Sequence, residues 1–151
     1  MRGTPFDAAL RILTLRDHSE AELARKLAAK GCSPEEVGAT LERLKELGYL
    51  DDRRFARRFA ESALENGRYV GARLKQELAR RGVAAPLVEE TLQELDQRDE
   101  EVLLAELVAR RYATFDPATA SDKEKRRVIG FLSRKGFSLG AIFRHLKANP
   151  D

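Results

Sequence analysis

Tryptophan is absent from this chain of 151 residues, cysteine occurs once, histidine twice and proline five times. The lone Cys32 excludes a disulfide framework and suits a reducing compartment. Cys32, His18 and His145 are too few to assemble a multi-ligand Cys/His zinc site. No apolar run reaches the ~18–20 residues of a membrane span, and the N-terminus shows no signal-peptide core. A cytoplasmic protein without membrane contact is therefore expected. A glycine-rich phosphate loop with its lysine is also missing. Asp17, His18 and Ser19 adjoin one another, but a catalytic triad is a matter of spatial geometry, and Ser19 is better placed as a helix cap. Asp51 and Asp52 likewise suit a cap and an acidic first turn better than a metal. No catalytic residue, cofactor or metal site is expected, and no segment alternates convincingly enough to predict a strand.

What the chain does have is one pattern written three times. Leu27, Leu78 and Leu132 each stand four residues before Gly31, Gly82 and Gly136, and Leu41, Leu92 and Leu146 follow ten residues after those glycines. Val37, Val88 and Ile142 occupy equivalent places between them. The glycines are 51 and 54 residues apart, and a fixed period of that size predicts tandem modules burying apolar faces against neighbours. Each glycine is followed by Cys32, Val83 or Phe137, which predicts a helix closed by a left-handed residue with its successor packed back on the last turn. Lys30, Arg81 and Lys135 precede the glycines, where a cation favours the helix C-terminus. Ser19 with Glu22, Ser33 with Pro34 and Glu36, Ser121 with Glu124, and Ser138 mark helix starts, and Pro86 suits a first turn. A further helix precedes each pair, over Pro5 to Arg16, Asp52 to Glu65 and Arg98 to Tyr112, with 113–120 as a longer loop. The fold class is all-α: three three-helix modules at residues 1–50, 51–97 and 98–151. The nine frame residues from Leu27 to Leu146 are expected to be buried at equivalent places. No long unpaired apolar heptad is present, so a monomer is expected.

Charge is segregated along this array. Residues 1–52 carry a net −2, 53–82 a net +6, 83–106 a net −7 and 107–151 a net +6. The basic blocks suit an acidic partner surface. Arg57, Arg58, Arg68, Arg73, Lys75, Arg126 and Arg127 are the candidate partner- or DNA-binding residues. Reversing Arg73 and Lys75 to Glu is expected to leave melting nearly unchanged, as for solvated surface charges. Arg54 is set aside because Asp51 stands three residues away to pair with it. Tyr69, Tyr112 and Phe115 lie near basic residues without forming a base-stacking platform.

The run from Leu47 to Ala56, LGYLDDRRFA, resembles the "GYLDD..FA" signature of the RecX family, small bacterial regulators of the RecA recombinase. Ser19 to Gly31 resembles that family's "S..EL..KL..KG" element, and Arg73 to Val83 its "RI..EL..KGI" element. Where the family commonly has Gly-Tyr-Gly-Pro, this chain has Arg68-Tyr69-Val70-Gly71. The resemblance implies an elongated, curved array of three three-helix repeats. It also implies binding in the groove of the RecA–DNA filament, with direct DNA contact, and suppression of ATP hydrolysis, strand exchange and co-protease function. The residues alone leave open a general nucleic-acid-binding helical module or an α-repeat scaffold for another protein.

Overall fold

A computed structural model describes residues 3–95 and 100–147. They form α1 (Pro5–Leu15), α2 (Glu20–Ala29), α3 (Pro34–Glu46), α4 (Asp52–Glu65), α5 (Gly71–Arg80), α6 (Ala85–Leu95), α7 (Glu100–Arg111), α8 (Asp122–Lys135) and α9 (Leu139–Lys147). No strand occurs among the described residues, and no helix there is long and apolar enough to cross a membrane. The expected helix start at Arg98 and the boundary at 97/98 lie outside the described residues.

The helices begin where side chains can satisfy their first backbone N–H groups. Ser19 and Ser33 accept from Glu22 N and Glu36 N at 3.1 Å each, and both glutamates reach back to the serine N–H. Thr4 and Asp7 build the same reciprocal cap on α1, with Pro5 at its first position. Asp51 Oδ1 accepts from the N–H groups of Arg53 and Arg54, at 2.9 and 3.1 Å. Asp52 reaches α2 instead, accepting Glu20 N at 2.8 Å. Both aspartates therefore serve helix N-termini.

Helices α2, α5 and α8 end at glycines. Gly31, Gly82 and Gly136 have φ of +98°, +87° and +109°. In each case the residue after the glycine donates to the leucine four before it: Cys32 N to Leu27 O at 3.1 Å, Val83 N to Leu78 O at 3.2 Å, Phe137 N to Leu132 O at 3.2 Å. This is the Schellman closure, and it occurs twice more, at Gly48 and Gly67. At Gly71 φ is +50°, which a pyrrolidine ring forbids, so a proline could not stand at this turn. Here the turn is held by Val70 N donating to Lys135 O at 2.9 Å and by the close approach of Gly71 to the Gly136 carbonyl.

Packing divides the chain into two compact units, residues 1–59 with 78–91, and 60–77 with 92–151. The first centres on Ala9, Leu23, Leu27 and Leu44, all fully buried, with Ile12, Cys32 and Leu50 around them. The second centres on Leu104, Val128, Leu132, Ala141 and Ile142, with Val70 and Phe137 alongside. Of the nine frame residues, Leu27, Leu78, Val88, Leu132 and Ile142 are buried, while Val37, Leu41, Leu92 and Leu146 are only half-buried. The four exceptions lie on α3, α6 and α9, the last helix of each module. On α3 the buried stripe is Thr40 and Leu44, so the frame residues there flank it. Equivalent position in a repeat does not bring equivalent burial.

In the first unit, His18 sits buried before α2. Its Nε2 accepts from the Lys26 ammonium at 2.7 Å, and its Nδ1–H donates to Arg16 O at 2.9 Å. This arrangement needs the neutral ring. Burial, opposed in part by the Arg16 carbonyl, lowers the His18 pKa from its ordinary 6.5. Below that value the unfolded chain takes up a proton that the folded one refuses, so stability falls as pH falls. Melting temperature is expected to drop from pH 7.5 to pH 5.5, and less steeply in His18→Gln. Equal slopes in both proteins would show that His18 is not the titrating group. Burial raises the Asp52 pKa, which acts with opposite sign and in a more acidic range.

Candidate partner-binding surface

The first arginine cluster is a consequence of α4's two faces. Phe55, Ala56 and Ala60 turn inward, so Arg53, Arg57 and Arg58 are left on the outer side. Arg53 reaches Glu90 at 2.5 Å, and Arg58 reaches Asp17 at 3.2 Å with both side chains largely exposed. Arg54 donates from its guanidinium to Gly48 O at 3.0 Å, not to Asp51, whose carboxylate is occupied by backbone N–H groups. It ties the α3–α4 corner. Arg57 is exposed.

Arg68 and Lys75 are exposed in the second unit, but Arg73 is half-buried and paired with a buried carboxylate. Its Nε lies 3.1 Å from Glu77 Oε2, a carboxylate only 5% exposed, and its guanidinium stands 5.4 Å from the Tyr69 ring centre. Its Cβ also abuts Gly136. Reversing Arg73 to Glu would set a second carboxylate against buried Glu77, so the expectation of unchanged melting is corrected. Removing one partner of a buried charge costs far more than losing a surface pair. Arg73 is a packing residue first.

Arg126 and Arg127 lie exposed on the first half of α8. Gly136, where Arg73 packs, closes the same helix about 15 Å further along at 1.5 Å per residue. Within the second unit the structure therefore separates Arg73 from Arg126 and Arg127. It instead brings Arg127 together with Arg111 and Lys123 around one cleft. Arg111 was not legible as a site residue, because only the fold of the 113–120 loop carries it to α8. Its guanidinium lies over two rings, 5.3 Å from Tyr112 and 5.7 Å from Phe131, which meet edge to face at 5.4 Å.

The second unit also explains how α9 is placed. Ser138 Oγ accepts from Ala141 N at 3.1 Å, and Glu100 accepts from both Ser138 N and Ser138 Oγ, at 2.7 and 3.0 Å. Arg144 on α9 pairs with Glu101 on α7. The N-terminus of α9 is thus occupied by the chain's own carboxylate.

Comparison with known proteins gives a consistent picture. Models of the first, second and third three-helix domains of RecX match residues 6–44, 51–92 and 99–146. Proteins named "Regulatory protein RecX" are similar across nearly the whole chain. That of Trichlorobacter lovleyi is 47% identical over 131 residues, covering 86% of this chain and 85% of its own. That of Syntrophotalea carbinolica is 33% identical over 145 residues, 95% of both chains. That of an Escherichia coli strain is 40% identical over 147 residues, covering 91% of this chain and 86% of its own. The crystal structure of RecX from Lactobacillus salivarius matches in fold with a TM-score of 0.72, at 18% identity and 96% coverage of each chain. With all three domains matched in order, and relatives 33–47% identical over 86–95% of its length, this chain belongs to the RecX family.

Proposed function

We propose that this protein regulates the RecA recombinase by binding, as a cytoplasmic monomer, in the groove of the RecA–DNA filament. The observation that carries the reading is the ordered match of all three domains to a family whose members bear the name of regulatory proteins. Modules at 1–50, 51–97 and 98–151 would then contact successive parts of the filament, suppressing ATP hydrolysis, strand exchange and co-protease function. The two blocks of net +6 supply the attraction to an acidic groove, through Arg57, Arg58, Arg68 and Lys75 in one and Arg126 and Arg127 in the other. The Arg58–Asp17 pair is no obstacle. A surface pair contributes only ~0–1 kcal/mol, so a filament carboxylate or phosphate can displace Asp17.

The test is the ATPase of RecA assembled on single-stranded DNA. Added protein is expected to slow turnover in proportion to its occupancy of the filament, without hydrolysing ATP itself. Unchanged RecA turnover at saturating protein would sink the proposal. If bare DNA is then bound tightly, the general nucleic-acid-binding module becomes the reading.

A further inference from the structure

We propose that the cleft between the end of α7 and the start of α8 binds the sugar–phosphate backbone of a single-stranded nucleic acid. The inference deepens the functional reading and rests on its claim that the partner carries DNA. The cleft has a volume of about 630 Å3 and lies wholly within the second unit. Arg111, Lys123 and Arg127 surround it, against one carboxylate, that of Glu124. None of the three cations makes an ion pair with a described residue, unlike Arg53, Arg58 and Arg73 elsewhere in the chain. Three like charges around one cavity repel each other, and an incoming oxyanion relieves that repulsion.

The ligand chemistry follows from the rest of the lining. Tyr112 and Phe115 give the cleft an apolar side, which suits a sugar and base edge better than a hydrated inorganic anion. The Arg111 guanidinium stands 5.3 and 5.7 Å from the ring centres of Tyr112 and Phe131, so cation–ring attraction favours its place beside the cleft before any ligand arrives. Ser121, whose Oγ caps α8 by accepting Glu124 N at 3.1 Å, also lines the cavity, so the positive end of that helix lies beside it. Apart from buried Val128, every lining residue is exposed or half-buried. An open trough of this kind suits a strand passing through, where a free nucleotide would need walls around it.

The test uses the full chain without RecA, reading anisotropy of a fluorescein-labelled oligothymidylate about 15 nucleotides long. Lys123→Ala with Arg127→Ala should weaken binding roughly tenfold or more at low salt and flatten the log–log salt slope by about 1.4. Arg25→Ala with Lys30→Ala, exposed on α2 and at its C-terminal cap, should change neither. Thr114→Lys, which adds a cation to the lining, should tighten binding and steepen the slope. It keeps the idea testable if the double variant melts early. Wild-type affinity and slope in the double variant, or no gain from Thr114→Lys, would overturn the assignment. So would displacement of the oligonucleotide by polyglutamate at equal charge, which would make the cleft a receptor for acidic polypeptide. Because RecA is absent, none of these outcomes prejudges the filament ATPase result.

Discussion

Alanine at Gly136 is expected to cost about 2–5 kcal/mol, well above the same change at Gly31. Both glycines close a helix at positive φ, +109° and +98°, so both substitutions carry left-handed strain of about 1–2 kcal/mol. They differ in what surrounds the missing methyl. A Cβ at Gly31 would meet nothing within 4 Å. At Gly136 it would collide with the backbone carbonyl of Val70 and stand 2.7 Å from Arg73 Cβ. A backbone oxygen cannot swing aside, and this one belongs to the turn whose Val70 N–H is bonded to Lys135 O at 2.9 Å. Gly82 should fall between the two, since its Cβ would strike only the methyl of Ala21. Urea denaturation of the three single variants checks the ranking. Equal losses at all three would show that the Gly136 contact opens freely in solution.

Leu78→Ala is expected to remove about 2–5 kcal/mol through lost burial and the cavity left behind. Leu78 is fully buried, and its carbonyl accepts from both Arg81 N and Val83 N, at 3.1 and 3.2 Å. The surrounding chain is therefore pinned and poorly able to collapse into the gap. Leu47→Ala provides the contrast, because Leu47 is 53% exposed and its loss should stay within about 0.5 kcal/mol. If both leucines prove equally costly, burial is not what the repeat pattern encodes.

The helix ends were readable because they are local. A leucine four residues before a glycine marks a bond that the structure contains, and the same spacing at Leu44 and Gly48 was there to be read. Ala63 and Gly67 form the same closure behind a smaller residue, which weakens the pattern without weakening the bond. The reciprocal cap of Thr4 and Asp7 was hidden only by Asp standing where Glu is usual. The candidate site was less legible. An Arg73–Glu77 pair can be proposed from spacing alone, but nothing in spacing says that Glu77 is buried. Arg111 joins Lys123 and Arg127 only through a loop without periodicity. Non-local placement decides which cations remain for a partner, and periodicity is silent on it.

The make-up of the first unit bears on the order in which the chain can become native during synthesis. Its segments are residues 1–59 and 78–91, and Ser19 Oγ donates to Arg81 O at 2.5 Å across 62 residues. Asp52 supplies a second bond to α2, at Glu20 N, from beyond the first module. A nascent chain that has just exposed residue 50 thus has its first three helices but lacks groups that satisfy the start of α2. At ~5–20 residues/s, the next 41 residues take about 2–8 s to appear. During that interval the early helices wait on partners still to be made, so the amino-terminal module becomes complete only after most of α6 has been translated.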